Sequence, residues 1–326
     1  MITTEYAAVP NRSLEAVWEG LNAPQKRIDS RYFYDERGSK LFDEITRLPE
    51  YYLTRAESDL LASYADQLIR RHRIGTIVEP GAGSGEKTRL LIDPLVRYNT
   101  APVYVPIDIS KSYLVNIERN LRSLYPTLQV QSRLADLTNA IALPPMLSAA
   151  GNPHRGSAAP VLIAFLGSTI GNFEEDAAVG LLTRWRSGLR EDDRLLIGFD
   201  LKKNVTELEA AYNDAAGVTA QFNLNILHVI NREAGANFDT RRFNHRAFYN
   251  AARGRVEMHL VSTEQQQVRV SGFGTIQFES GETILTEISC KYNGEDVERI
   301  LRAAGLRLEQ WHQDAPAQFA IVTARL

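Results

Sequence analysis

Hydrophobic positions between residues 55 and 200 follow two alternating spacings. From 55 to 72 the apolar residues recur at helical spacing, and Gly75 follows as a stop signal. Beyond it, β-rich runs alternate with helical ones, giving strand 76–79, helix 86–97, strand 103–108, helix 111–124, strand 128–134, strand 161–166, helix 174–189 and strand 195–200. This order predicts right-handed crossovers and an α/β fold with a Rossmann-like parallel sheet covered on both faces.

The pattern changes after Asp200. Two helical runs are followed by strand-rich segments and a last helix, which gives helices 207–216 and 219–230, strands 255–262, 267–270, 272–278 and 283–292, and helix 295–304. The final runs, 307–311 and 319–323, are spaced to pair as a hairpin that completes the parallel sheet. The region after Asp200 is therefore predicted to be an inserted α+β unit. A Pro-, Ala-, Ser- and Gly-rich stretch over 141–160 is predicted to be a surface loop.

Composition and charge restrict the class of protein. Hydrophobic residues make up 44% and charged residues 24% of 326, as in an ordinary globular chain. The formal charge of -3 gives no positive field for a nucleic-acid backbone, which argues against nucleic acid as a partner. The single cysteine, Cys290, excludes an internal disulfide and indicates a reducing compartment. The first residues show no basic segment followed by an apolar stretch, and no apolar run reaches the roughly 20 residues of a membrane helix. The histidines show no metal-ligand spacing. We therefore expect a cytoplasmic protein without membrane or metal partners.

A glycine-rich loop, Glu79 to Gly85, follows the first strand of the predicted sheet and reads EPGAGSG. A phosphate-binding loop would need Gly-Lys-Ser/Thr at its end, but Glu86 precedes Lys87, and its charge would oppose a phosphate. The dinucleotide fingerprint fails at the same glutamate. The loop therefore favours a ligand without phosphates, such as S-adenosylmethionine.

Two acidic residues follow neighbouring strands of this predicted sheet. Asp108 ends the second strand, where it can accept hydrogen bonds from both ribose hydroxyls, and Asp136, just past the third, can meet the adenine amine. For an isolated glycine loop, the alternative is a turn that merely closes a βα unit. The two acids in register favour the cofactor site.

Longer motifs occur along the whole chain: YFYD at 32–35, LFDEIT at 41–46, LPEYY at 48–52, FLGSTIGN at 165–172, YNDAAGVT at 212–219 and LTEISCK at 285–291. In these the chain resembles the histidine Nα-methyltransferases of ergothioneine biosynthesis, which convert L-histidine to its trimethylbetaine, hercynine. The resemblance implies a Rossmann-like methyltransferase domain of residues 53–200 and 290–326. It also implies a substrate-recognition domain of residues 10–52 and 201–289.

The resemblance further implies roles in binding the amino acid. Residues matching Tyr51 and Asn172 hold its backbone end, the one matching Tyr34 lies near the amine, and the one matching Tyr212 binds the carboxylate. Tyr34 and Asn172 are thereby the catalytic candidates. For the three tyrosines, the alternative is ordinary half-buried packing with the hydroxyl in water.

Glu287 and Ser289 lie two residues apart on a predicted strand, so their side chains point to the same face. A carboxylate that accepts from one imidazole N–H and a hydroxyl that faces the other nitrogen would recognise histidine. The matching family residues have that role. The alternative is an exposed Glu and Ser on a polar strand face.

The cofactor contacts implied by the resemblance are Gly81, Lys87, Asp108, Asp136 and Leu137. For Lys87 the alternative is a solvated residue in the first turn of a helix. Pro80 and Gly85 differ from the residues that are commoner at these positions of the family motif. This difference affects the expected affinity for the cofactor more than the expected identity of the cofactor.

These observations predict an S-adenosylmethionine-dependent enzyme that methylates the α-amino group of L-histidine three times, with no obligate protein partner. The amine must lose a proton before attack, and Tyr34, a water molecule and bulk solvent are all candidate acceptors. One alternative is N-methylation of another amino acid, and a second is a catalytically silent binding protein with the same fold. A nucleic-acid methyltransferase is a weaker third alternative because of the charge balance.

Overall fold

The computed structural model describes residues 14–136 and 159–326. Contacts divide these residues into two compact units. Unit 1 comprises Leu53–Lys202 and Lys291–Leu326, and unit 2 comprises the described residues up to Tyr52 together with Lys203–Cys290. In this part of the chain, no helix has the length and apolar character that crossing a membrane requires. Leu137 and most of the predicted loop 141–160 lie outside the described residues.

Helices and strands occur in both units and are numbered in chain order. The helices of the described ranges are α1 (Leu14–Leu21), α2 (Glu36–Ile45), α3 (Leu53–His72), α4 (Arg89–Tyr98), α5 (Lys111–Leu124), α6 (Glu175–Arg186), α7 (Val205–Ala210), α8 (Val218–Glu233) and α9 (Gly294–Ala303). The strands are β1 (Lys26–Arg27), β2 (Thr76–Pro80), β3 (Val103–Asp108), β4 (Gln129–Val130), β5 (Arg133–Leu134), β6 (Val161–Phe165), β7 (Arg194–Asp200), β8 (Phe243–Asn250), β9 (Arg255–Ser262), β10 (Gln266–Val270), β11 (Gly274–Phe278), β12 (Thr283–Cys290), β13 (Arg307–Gln313) and β14 (Phe319–Arg325).

In its described residues, unit 1 is built on an eight-stranded sheet with the order β13-β14-β7-β6-β2-β3-β4, and β5 also pairs with β3. Strands β2, β3, β6 and β7 pair in parallel. The central strands are buried at nearly every position, as parallel strands covered on both faces require. The terminal strands form the predicted hairpin, and β14 adds antiparallel to β7. The Rossmann-like α/β prediction is confirmed.

Unit 2 contains, among its described residues, a four-stranded sheet with the order β1-β12-β9-β8 and a separate hairpin of β10 and β11. Helix α8 packs against β8, β9 and α2. Its buried positions Phe222, Ile226, Val229 and Ile230 form a single apolar stripe, as an amphipathic helix on a sheet requires.

For unit 2, the sequence analysis missed one strand and was wrong about the end of one helix. Strand β8 was not predicted, because its sequence mixes asparagine, histidine and arginine with its aromatic residues. The predicted helix 207–216 ends at Ala210. Beyond it, the Asn213 side chain donates to the Ala247 carbonyl oxygen of β8 at 3.1 Å, and the Asp214 carboxylate accepts from the Val218 N–H at the start of α8. Such side chains compete with helical hydrogen bonds and end the helix there.

Candidate active site

The glycine loop lies at the carboxyl edge of the unit 1 sheet. Gly81, Gly83 and Gly85 all have positive φ, at 73°, 54° and 73°. A Cβ atom on Gly83 would meet nothing within 4 Å, so its backbone conformation rather than space calls for glycine there. The Gly81 N–H donates to the carbonyl oxygen of Ile107 in β3 at 2.7 Å. The loop therefore presents backbone, without large side chains, beside the ends of β2 and β3.

The predicted acids lie at this same edge. Asp108 is the last residue of β3 and is buried, and its Oδ2 accepts from the Gly83 N–H at 2.9 Å. Burial raises the pKa of Asp108, against the lowering effect of hydrogen bonds from backbone N–H groups. Asp136 is also buried, and the residue before it, Ala135, donates its N–H to the Asp108 carbonyl oxygen at 3.0 Å. The structure thus brings the loop and both acids together, while their contacts with a cofactor stay a prediction.

Glu79 is a buried carboxyl group within β2, at the start of the loop. Its Oε2 accepts from the Thr88 hydroxyl at 2.6 Å and from the Tyr104 hydroxyl at 2.7 Å. Burial raises the pKa of Glu79 to about 7, although both hydrogen bonds act in the opposite direction. Helix α4 begins at Arg89 and not at residue 86 as predicted, and Thr88 is its N-cap residue.

Lys87 precedes α4 and is not a solvated residue in its first turn. Its ammonium forms an ion pair with the carboxylate of Glu57 in α3, and the Lys87 side chain is 23% exposed while that of Glu57 is 0% exposed. Glu57 was missed by the sequence reasoning. The signal that could have found it is a carboxylate on the apolar face of α3, one turn after Leu53 and one before Leu61.

Asn172 closes a short 3₁₀ segment, Thr169–Asn172, in the connection after β6. The residue before this segment, Ser168, has a left-handed backbone with φ of 53°. Its hydroxyl accepts from the Asp200 N–H at the end of β7 at 2.9 Å, which fixes the turn between two strand ends. The predicted position of Asn172 beyond a strand end is confirmed, and its role stays a prediction.

The predicted tyrosines of unit 2 form one cluster. The Tyr212 hydroxyl donates to Ser289 Oγ at 2.8 Å, and both side chains are buried. The Tyr51 ring centroid lies 6.5 Å from that of Tyr212 and 6.4 Å from that of Phe42. Phe42 in turn lies 5.9 Å from Tyr34. A chain of contacts therefore runs from Tyr34 through Phe42 to Tyr51, and from Tyr51 through Tyr212 to Ser289.

A β-bulge sets the position of Glu287 and Ser289 on β12. The register against β9 shifts between Leu285 and Glu287, so Thr286 is the extra residue. Beyond the bulge, Glu287 and Ser289 pair with alternate residues of β9 and share a face, as predicted. Ser289 is only 5% exposed and Glu287 is half-buried, so the alternative of an exposed polar strand face is wrong for this pair.

A buried polar network supports Tyr212 and the bulge, and the sequence reasoning had treated its histidine as an ordinary core or surface residue. Asn223 of α8 accepts from the Thr286 hydroxyl at 2.7 Å and donates to His245 Nδ1 at 2.9 Å. This pattern assigns the proton to His245 Nε2, which donates to the Tyr212 carbonyl oxygen at 2.9 Å. Burial lowers the pKa of His245, which keeps the neutral, accepting ring favoured.

The hydrogen-bonding groups at the carboxyl edge of the unit 1 sheet suit S-adenosylmethionine better than a phosphate ligand. Glu79, Asp108 and Asp136, all buried, lie around a loop that presents backbone groups. The carboxyl groups of Asp108 and Asp136 at this edge would oppose a pyrophosphate, whereas they can accept hydrogen bonds from hydroxyl, amine and ammonium groups. With the strand order of the unit 1 sheet, these features define the class as an S-adenosylmethionine-dependent methyltransferase.

The chain belongs to the family of histidine-specific, S-adenosylmethionine-dependent methyltransferases, whose model matches residues 13–326. It is 39% identical to the histidine N-alpha-methyltransferase of Mycobacterium tuberculosis, over 94% of this chain and 93% of that protein. It is 38% identical to the enzyme of the same name from Mycolicibacterium smegmatis, over 94% of this chain and 92% of that protein. An L-tryptophan methyltransferase of Psilocybe serbica is 26% identical over 95% of this chain and 92% of its own length.

Proposed function

We propose that this protein transfers three methyl groups to the α-amino group of L-histidine and so forms hercynine for ergothioneine biosynthesis. The names of the two mycobacterial relatives and the family match over residues 13–326 support this reaction. The structural observation that carries it is the shared face of Glu287 and Ser289 on β12, because a half-buried carboxylate beside a buried hydroxyl can bind the two nitrogens of an imidazole.

Substrate recognition is assigned to five side chains. Glu287 accepts from one imidazole N–H, and Ser289 faces the second ring nitrogen, which matches the one donor and one acceptor of a neutral imidazole. Tyr212 binds the carboxylate, and Tyr51 and Asn172 hold the backbone end of the amino acid. Support comes from the regular pairing of Glu287 and Ser289 beyond the bulge, which keeps both on one face, and from the contact between Tyr51 and Tyr212.

The chemical step requires an unprotonated amine aligned with the methyl group. S-adenosylmethionine supplies, when bound, an activated methyl group on a sulfonium. Asn172 orients the amine, since holding a nucleophile in line removes much of the entropic barrier to displacement. Tyr34, packed edge-on against Phe42 and Phe222, is the proposed proton-holding group near the amine.

Cofactor binding is assigned to Gly81, Lys87, Asp108, Asp136 and Leu137. The loop backbone and Lys87 hold the methionine end, Asp108 accepts from the ribose hydroxyls, and Asp136 meets the adenine amine. The burial of both aspartates and the hydrogen bond from Gly83 to Asp108 support this assignment. Leu137 lies outside the described residues and is assigned by resemblance alone.

Unit 1 is the proposed methyltransferase domain and unit 2 the proposed substrate-recognition domain. We place the enzyme in the cytoplasm, acting on a free amino acid without nucleic acid, membrane or an obligate protein partner. The lone Cys290 and the balanced charge support this assignment.

The direct test is mass spectrometry of the purified protein incubated with S-adenosylmethionine and an equimolar mixture of amino acids that includes tryptophan. Trimethylated histidine as the sole product is the expected result. Methylation of tryptophan or another amino acid would support the cofactor assignment but overturn the proposal that Glu287 and Ser289 recognise the imidazole. Absence of any methylated product would favour a silent binding protein.

A further inference from the structure

Glu57 is a carboxylate in an apolar setting. It lies on the face of α3 that also carries Leu53, Leu60 and Leu61, and its side chain is fully buried. If this position only packed the helix, an apolar residue would be sufficient. A buried charge is costly unless partners compensate it, so the partners of Glu57 show what the charge does.

The partners of Glu57 come from two separate connections of unit 1. Its Oε2 atom forms the ion pair with Lys87, between the glycine loop and α4. Both of its oxygens also accept from the Gly167 N–H, each at 2.8 Å. Gly167 begins the turn that continues to Asn172. One carboxylate thus joins the segment after β2 to the segment after β6.

The sheet beneath Glu57 leaves space for its carboxylate. A Cβ atom on Gly198, in the middle of β7, would overlap Glu57 Oε1 and would come within 3.0 Å of the Phe319 ring. A Cβ atom on Gly167 would lie 3.6 Å from Lys87 Nζ. That distance is an ordinary contact, and the φ of 73° at Gly167 accounts for the glycine there. Gly198 is the residue that lies where Glu57 needs room, so the position of the carboxylate is built into β7 as well as into α3.

We propose that Glu57 is a positioning residue for cofactor binding, which fixes the Lys87 ammonium and the Gly167 turn at the carboxyl edge of the sheet. This inference rests on the proposed function, because Lys87 is a cofactor residue only there. An uncompensated Lys87 would be free to move into solvent, and the turn towards Asn172 would lose its anchoring acceptor.

A double-mutant cycle tests this with a direct binding measurement. Affinity for S-adenosylhomocysteine, without histidine, is measured by calorimetry for the wild type, Glu57→Gln, Lys87→Met and the double variant. We expect each single change to weaken binding by about tenfold or more. The double variant should bind about as well as the more weakly binding single variant, because the effects of coupled residues do not add. Fully additive losses would overturn the proposal.

The matched control is Asp66→Asn on the same helix. Asp66 forms a 2.7 Å ion pair with Arg97 of α4, and both side chains are exposed. We expect this variant to bind S-adenosylhomocysteine like the wild type. An equal loss in the control would show that any disturbed link between α3 and α4 weakens binding, and would overturn a specific role for Glu57.

Glu57→Asp provides the conservative variant should Glu57→Gln fail to fold. It keeps the charge but withdraws the carboxylate by one methylene, so we expect an intermediate loss of affinity for S-adenosylhomocysteine. KM for S-adenosylmethionine should rise more than KM for histidine, because Glu57 bonds the Lys87 ammonium directly but reaches Asn172 only through the Gly167 turn. Equal increases in both KM values would indicate a merely structural role and overturn the proposal. Wild-type protein that binds S-adenosylhomocysteine but leaves histidine unmethylated would overturn the proposed function alone, since the binding cycle would still report on Glu57.

Discussion

The buried carboxyl group of Glu79 makes folding stability depend on pH. Its pKa is about 7 in the folded protein against an ordinary value of 4.5, so between these values the folded state keeps a proton that the unfolded chain has released. Stability of the wild type should therefore fall as pH rises through this window, and the Glu79→Gln variant should lack that slope.

The difference between the two proteins is expected to change by on the order of 1 kcal/mol per pH unit. Chemical denaturation of both proteins across the window measures it. Parallel stability curves for wild type and Glu79→Gln would contradict a raised pKa at this residue.

Glu287 is the residue whose loss should separate substrate from cofactor binding. Glu287→Ala removes a charged acceptor, and hydrogen bonds to charged groups contribute about 1.5–3 kcal/mol, so histidine affinity should fall by roughly 10- to 100-fold. Affinity for S-adenosylhomocysteine should be unchanged. Calorimetric titration with each ligand measures both, and Glu279→Ala, at an exposed glutamate of the same unit, is the control. Equal losses for the two ligands would remove the imidazole-reading role.

At the scale of elements, hydrophobic spacing predicted the bounds of helices and strands most accurately where the element is packed into the core. Strand β3 and helix α5 have the predicted bounds, because a strand buried on both faces and an amphipathic helix carry their pattern in their own residues. The residues around Thr286 carry no pattern that predicts the bulge, because a bulge is defined by how β12 pairs with β9. Likewise, Glu57 and Lys87 are 30 residues apart in sequence, and their contact depends on how α3 packs in the fold.

Asn223 connects α8 to the elements that carry Tyr212 and Glu287. Asn223→Ala would leave His245 Nδ1 and the His259 carbonyl oxygen without the amide that donates to them, while the Thr286 hydroxyl keeps the Met258 carbonyl oxygen as its acceptor. We therefore expect a stability loss of about 1–3 kcal/mol. Because the network also holds the Tyr212 carbonyl oxygen, KM for histidine should rise while affinity for S-adenosylhomocysteine stays the same.

The control for that variant is Asn231→Ala, on the same helix. Asn231 bonds both the N–H and the carbonyl oxygen of Phe238, at 2.8 Å each, so its loss should also reduce stability. Its partner is not one of the proposed substrate residues, and KM for histidine should not change. A similar rise in KM for both variants would mean that general loosening of α8, and not the network, affects substrate binding.

At the scale of the whole molecule, composition and charge excluded classes of protein, and the motifs indicated the family. Composition alone did not identify the substrate, because the residues assigned to it come from distant segments: Tyr34 and Tyr51 from the first part of unit 2, and Glu287 and Ser289 from β12. Their chemistry is ordinary in isolation. The resemblance of the motifs singled them out, and the structure adds the contacts between distant segments, such as Tyr51 against Tyr212.

The proposed cofactor site can also be tested through the stability of the whole protein. A ligand that binds only the folded state stabilises it by RT ln(1 + [L]/Kd), about 2.7 kcal/mol at a concentration of 100 Kd. S-adenosylhomocysteine should therefore raise the unfolding midpoint of the wild type. Asp108→Asn should greatly reduce this shift, because an amide oxygen cannot accept from two ribose hydroxyls as a carboxylate does while it also holds the Gly83 N–H.

Without ligand, Asp108→Asn should unfold close to the wild type, since the substitution loses a hydrogen bond to backbone but also removes a charge that burial disfavours. Thermal unfolding with and without S-adenosylhomocysteine separates these two effects. A variant that keeps the full ligand-induced shift would show that Asp108 does not bind the ribose, and the acidic edge of the sheet would then require a different ligand orientation.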